Sequence, residues 1–270
     1  MMFKSMISEN EKLYDETLNA EKELTSHHYE ECDDDKDIYT HSEGYIGAMA
    51  LNIIDKLELG PTDRFVDLRG GRGIYLNTIC DRIDFDEAPV LVDNRQDYID
   101  YAKEENSKIQ CVCSDSLSFV EAMDGKYDKV LIKEVFDHFD DAKKVVSSLY
   151  EKLNDDGIVF IMHKPPQPDM PLFNEAKKKF EEQCSKAEDI ATILQEAGYE
   201  ISRESFAYPQ FIPKEYYFKM MEARCISALN DLSDESIEKG IKEMRQMYET
   251  EKFFKFDDHF HYLIARKRKM

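Results

Sequence analysis

The stretch Phe65-Val66-Asp67-Leu68-Arg69-Gly70-Gly71-Arg72-Gly73 runs an apolar strand straight into a glycine-rich turn, with a helical pattern beginning near Gly73. Open α/β sheets bind ligands beyond the carboxyl ends of their strands. Glycines at such a turn let a ligand approach the backbone and the helix N-terminus. The pattern predicts a nucleotide-like cofactor at this turn. A dinucleotide fingerprint, G-x-G-x-x-G, needs a small third residue, yet counted from Gly71 and Gly73 that position is Leu76, which speaks against a nicotinamide cofactor.

Outward from this turn, short apolar runs alternate with helical patterns. Strands are predicted at 64–68, 90–92, 109–113, 129–132 and 158–162, with helices starting near Gly73, Arg95, Asp115 and Asp141. Such alternation implies parallel strands joined by right-handed crossovers, and nearly continuous apolar runs suit strands covered on both faces. The predicted class is a doubly wound, mostly parallel seven-stranded α/β sheet with an antiparallel last strand and helical additions. Thr40 and Glu43 read as a capping box before a helix through Ile46, Met49, Ile53 and Leu57. His163 to Pro168 reads as a surface loop, and Ser185 with Glu188 as a second capping box. Further strands are predicted at 199–206 and 260–265, separated by helical stretches from Pro213 and from Ser233. The predicted domains are therefore an N-terminal helical cap or arm over 1–40 and an α/β domain over 41–270 with a helical insertion at about 207–252.

The chain has 270 residues, 36 basic against 57 acidic, for a formal charge of −21. That length buries a sizeable core without disulfide or metal staples. Strong acidity disfavours nucleic acid, whose affinity rests on clustered Lys and Arg. No apolar run is long enough to span a bilayer and the start lacks a signal-like core, so a cytoplasmic protein without a membrane partner is expected. The six scattered cysteines, Cys32, Cys80, Cys111, Cys113, Cys184 and Cys225, read as free thiols. Nothing in the sequence fixes an oligomeric state.

The segment from Asp67 to Gly73 resembles motif I of the class I S-adenosylmethionine-dependent methyltransferases, an acidic residue followed by Gly-x-Gly-x-Gly. Asp67 takes the acidic place, Gly71 and Gly73 the second and third glycines, and Arg69 stands where the first is usual. Val90-Leu91-Val92-Asp93 is similar to the family's second strand, Cys113-Ser114-Asp115 to the end of its third, and Tyr127 to His138 to its fourth strand and following loop. The resemblance extends in order over about residues 41 to 270. It implies S-adenosylmethionine as cofactor, methyl transfer to oxygen, nitrogen or sulfur of a small-molecule acceptor, and no metal. For the cofactor site it implies Asp67, Arg69, Gly71, Gly73, Asp93, Asn94, Asp115, Ser116 and Lys133.

Residue chemistry supports parts of this and leaves alternatives open. Asp93 lies 22 residues after Gly71, where a carboxylate takes two hydroxyl hydrogen bonds from a ribose or simply caps the next helix. Asp115 meets an adenine or serves as an N-cap. Arg69 either adopts positive φ at a cost of about 1–2 kcal/mol or keeps negative φ and pairs with the cofactor's carboxylate. His138, beside Asp137, is the candidate base, against a solvent-facing histidine. His163 and the aromatic residues Tyr208, Phe211, Tyr216 and Tyr217 are candidates for an acceptor pocket, against helix-to-sheet core. His259 and His261 share a strand face without a third ligand. A non-catalytic binding protein with a degenerate cofactor loop is the alternative function.

Overall fold

The computed structural model describes residues 43–268; the predicted arm over 1–40 and the Thr40 cap lie outside them. Helix α1 (Glu43–Leu57) buries Tyr45, Met49, Ala50, Ile53 and Leu57 on one stripe. Then follow β1 (Phe65–Leu68), α2 (Ile74–Cys80), β2 (Val90–Asp93), α3 (Gln96–Glu105), β3 (Gln110–Cys113), α4 (Ser116–Ala122), β4 (Tyr127–Lys133), α5 (Ala142–Lys152) and β5 (Leu153–His163). The chain continues with α6 (Asn174–Gln183), α7 (Ala187–Glu196), β6 (Glu200–Pro213), α8 (Lys214–Glu222), α9 (Asp234–Met247) and β7 (Phe253–Arg266). The sheet order is β3-β2-β1-β4-β5-β7-β6, with β1 to β5 parallel and β7 antiparallel to both neighbours. The predicted sheet is the observed one.

The four residues at which helices were expected to start, Gly73, Arg95, Asp115 and Asp141, are the observed N-caps. Asp115 and Asp141 accept from the amides of Ser118 and Lys144 at 2.9 and 3.0 Å. Strands β1, β2 and the middle of β4 are buried throughout, which explains their unbroken apolar runs.

Three differences concern the second half. Helix α6 occupies a stretch without a predicted element; its apolar side is only Ala176 and Phe180, joined by Phe173 at its N-cap, in an otherwise Lys/Glu-rich run. The Ser185–Glu188 capping box does not form: Lys186 is the N-cap of α7, and the Ser185 amide donates instead to Asp137 Oδ1 at 3.0 Å. Strands β6 and β7 run 14 residues each, far beyond their predicted spans, and pair along their whole length. Pro209 sits inside β6 because this is an edge strand, where a missing N–H costs no ladder bond on the open side.

Three hydrophobic clusters result. One lies under α4, α5 and α7, and a second under α1, α2 and α3 on the opposite face. The third belongs to the insertion, where α6, α8 and α9 close over Ile212 and Phe254 on the overhanging β6–β7 ribbon. No described helix is long and apolar enough to cross a membrane, and the five described cysteines are free thiols.

Candidate active site

The β1 turn takes its shape from three left-handed residues, Arg69 (φ 64°), Gly71 (φ 60°) and Gly73 (φ 77°). Arg69 therefore follows the first of its two alternatives and carries strain that glycine would not. Gly70 is required for another reason: a Cβ there would fall 2.4 Å from Asp67 Oδ2 and 2.5 Å from a Leu91 methyl. Asp67 thus lies beneath the turn, only 3% exposed. Burial raises its carboxyl to about 7, with Lys133 opposing and Asp93 adding to the rise.

At the tip of β2, the Asp93 carboxylate accepts the Gly71 amide on Oδ2 (3.1 Å) and the Arg95 amide on Oδ1 (3.0 Å). It ties the first crossover loop to the second, and each oxygen keeps a further lone pair for a hydroxyl. Asn94 is exposed, and its carbonyl meets the Cys113 thiol at 3.8 Å. Asp115 is an exposed N-cap whose carboxyl is held low by the Ser118 amide. Ser116 beside it is 5% exposed, and its hydroxyl has no hydrogen-bond partner among the described residues. An orphaned buried hydroxyl past β3 and a glycine cradle past β1, on either side of the Asp93 strand tip, are features that suit an adenosine.

Across the switch between β1 and β4 lies a charged cluster. Lys133 ends β4, with its ammonium on Glu134 and 4.4 Å from the centre of the Tyr75 ring. Glu134 has φ 56°. Burial pushes its carboxyl up, but the ammoniums of Lys133 and Lys164 hold it at about 2. Lys164, just past β5, pairs with Asp258 of β7, whose other oxygen accepts the Tyr45 hydroxyl at 2.9 Å.

The remaining candidates separate. His138 is exposed in a short 3₁₀ turn over Phe136–His138, and Asp137 turns away from it toward Ser185. His163 is buried, and its Nε2 lies 2.7 Å from the Ser185 carbonyl, which only accepts, so that nitrogen carries the hydrogen. Tyr208 packs edge-on against Tyr45 with centroids 5.0 Å apart, next to the charged cluster. Phe211 stacks on Phe253 at 4.3 Å, while Tyr216 and Tyr217 join the insertion core, Tyr217 donating to the Pro171 carbonyl at 2.7 Å. No three described His, Cys, Asp or Glu residues are grouped to hold a metal.

Glu134, Lys164 and Asp258 were not among the sequence candidates. Lys164 sits in a segment legible only as a Pro-rich loop, and its partner is 94 residues away. Lys133-Glu134 at a strand end was the one local signal, a charged pair closing an apolar run.

This strand order and turn are those of the class I methyltransferase fold. Residues 66–161 match the family described as a methyltransferase domain. The chain is similar in structure to a methyltransferase-fold protein of Bacillus halodurans C-125 (19% identity, TM-score 0.55, covering 82% of this chain and 100% of that one). It is also similar to an S-adenosylmethionine-dependent methyltransferase of Archaeoglobus fulgidus (18%, TM-score 0.54, 83% and 94%). A third likeness is to the [4+2]-cyclase SpnF (13%, TM-score 0.58, 83% and 81%). No curated protein sequence matches the chain. Residues 66–161 thus match a methyltransferase domain, and the chain shares its fold with methyltransferases of known structure.

Proposed function

We propose that the chain transfers a methyl group from S-adenosylmethionine to a small-molecule acceptor in the cytoplasm. The observation that carries this reading is the Asp93 carboxylate, set at the tip of β2 and already tied to the Gly71 amide. On this reading Asp93 takes the ribose hydroxyls, and Gly71 and Gly73 leave room for the nucleoside. Asn94, Asp115 and Ser116 flank the adenine, with the Ser116 hydroxyl finding the partner it lacks. Asp67 and Arg69 shape the turn, and Lys133 borders the methionine end. The bound cofactor supplies an electrophilic methyl on a sulfonium.

What the chain supplies is alignment and exclusion of water, because an in-line displacement asks little else of the protein. The acceptor lies on the β4–β5 side, where the partly exposed Tyr208 ring stands beside the charged cluster. For a protonated acceptor, His138 on the following turn is the group free to take the proton. His163 instead holds its loop through Ser185.

Calorimetric titration with S-adenosylmethionine tests the reading. Wild type binds, and Asp93→Ala loses roughly 3 kcal/mol or more, about 100-fold, from two lost charge-assisted bonds. Asp93→Asn, which keeps a loop acceptor, controls for folding. Strained Arg69 favours a second reading, a binding protein without turnover. Folded wild type that fails to take up cofactor at high micromolar concentration would support that reading and refute the first.

A further inference from the structure

Among the described residues, five other than glycine have positive φ: Glu58, Arg69, Glu134, Asp156 and Arg224. Such a backbone strains any side chain with a Cβ and persists only where the surroundings hold it. Four of the five are held by a charged partner. Glu58 pairs with Arg266 at 2.5 Å, and the Asp156 carbonyl accepts from the same guanidinium at 3.3 Å. Glu134 carries the Lys133 ammonium. Arg224 donates to the Leu232 carbonyl at 2.7 Å and pairs with Asp234 at 2.6 Å. Arg69 is the exception. It is half-buried, and its guanidinium makes no hydrogen bond, ion pair or ring contact with any described residue.

The other cations at these strand tips are committed. Lys133 holds Glu134 and lies over the Tyr75 ring, Arg72 lies over Tyr98 and Tyr101, and Arg95 pairs with Asp97 and covers Tyr98. Asp67, beneath the turn, has Lys133 as its opposing charge. The turn therefore presents a guanidinium whose N–H donors no described residue uses. Register fixes its place. Leu68 pairs with Val92 on β2 and Asp67 with Leu131 on β4, so Arg69 leaves the sheet between the tips that carry Asp93 and Lys133.

Resting on the methyltransferase reading above, we infer that the Arg69 guanidinium takes the carboxylate at the amino-acid end of the cofactor, two N–H donors against two oxygens. With the ribose on Asp93 and the methionine end toward Lys133, that end of the cofactor comes to the β1 turn. An anionic group arriving there needs a cation, because Asp93 and, once ionised, Asp67 already place negative charge at the turn. Positive φ is compatible with this role, since it sets where the Cβ leaves the turn and a flexible stem carries the guanidinium onward. Glycine would relieve the strain and supply no donor. The strained arginine is thereby a specificity-determining residue that favours ligands with the carboxylate over those without it.

Calorimetric titration of the full chain with S-adenosylhomocysteine and with S-adenosyl-3-thiopropylamine, which differs from it only in lacking the carboxylate, tests this. Wild type should bind the first more tightly by roughly 10-fold or more. Arg69→Met keeps a Cβ at the same backbone position and removes the charge. It should lose S-adenosylhomocysteine by roughly 10-fold or more while the amine binds as well as before or better, so that the preference disappears. Arg69→Gly should lose the same preference while gaining stability without ligand, which separates the effect from misfolding. Equal affinities in wild type, or a preference that survives in Arg69→Met and Arg69→Gly, would overturn the inference and leave the methyltransferase reading standing, because the nucleoside still binds. Folded wild type that takes up neither ligand would refute that reading and this inference together.

Discussion

Replacing Asp67 by Asn should stabilise the protein at neutral and alkaline pH and leave it nearly unchanged at and below about pH 4. The carboxyl is 3% exposed, and burial sets it at about 7 despite the nearby Lys133 ammonium. In the unfolded chain it titrates near 3.8. Between these values the native state holds a proton that the unfolded state releases, so stability falls as pH rises. The contribution is fully present below about pH 4 and lost by about pH 8. A separation of about three units at ~1.4 kcal/mol each gives a cost on the order of 4 kcal/mol for ionising Asp67 in place. Asn has the same shape and no charge, and so escapes that cost. Urea denaturation of both proteins at pH 4, 5, 6, 7 and 8 measures it. The difference between them cancels every other titrating group, Glu134 included, which is held low and titrates outside this range. The expected difference is small at pH 4, about 1.5–2 kcal/mol at pH 5, and rises to a plateau of about 4 kcal/mol above pH 7. A flat difference, or one in favour of wild type that grows with pH, would refute the argument that burial dominates at this carboxyl.

Two further substitutions test backbone and packing. Arg69→Gly relieves a left-handed residue at a cost of extra chain entropy when folded. A net gain of about 0.5–1 kcal/mol in chemical denaturation is expected, and a loss would mean that the guanidinium makes a contact worth more than the strain. Gly240→Ala puts a methyl 2.3 Å from the Phe173 ring between α9 and the start of α6. The overpacking should exceed the helix-propensity gain and destabilise by about 1–2 kcal/mol, read as a shift in denaturation midpoint; a stabilised variant would show that the ring moves aside.

Much of the cofactor half is legible in sequence because its signals are local. An apolar run into Arg69-Gly70-Gly71-Arg72-Gly73 needs no distant partner to be read, and the same holds for a single Asp at each of two helix starts. The second half is different. β6 and β7 mix aromatic and charged residues, as in Phe253-Phe254-Lys255-Phe256-Asp257-Asp258, because one face of the ribbon meets the insertion core while the other meets water. Their length depends on pairing with each other across an insertion, which periodicity in either strand alone does not reveal. The aromatic set from Tyr208 to Tyr217 divides for the same reason. Tyr208 stands opposite Asp258 in the ribbon and reaches Tyr45, whereas Tyr217 falls on α8 and turns into the insertion core. Salt bridges between residues 94 apart are tertiary facts with no trace in the local pattern.

The separate core of the insertion has a consequence for how this protein can change. Residues such as Phe180, Phe218 and Met244 fill a volume that shares no buried member with the layer beneath the nucleotide turn. Remodelling those positions therefore leaves the layer beneath the glycine-rich turn intact. That makes the insertion the part of the chain whose interior can be rebuilt most freely without unfolding the turn after β1.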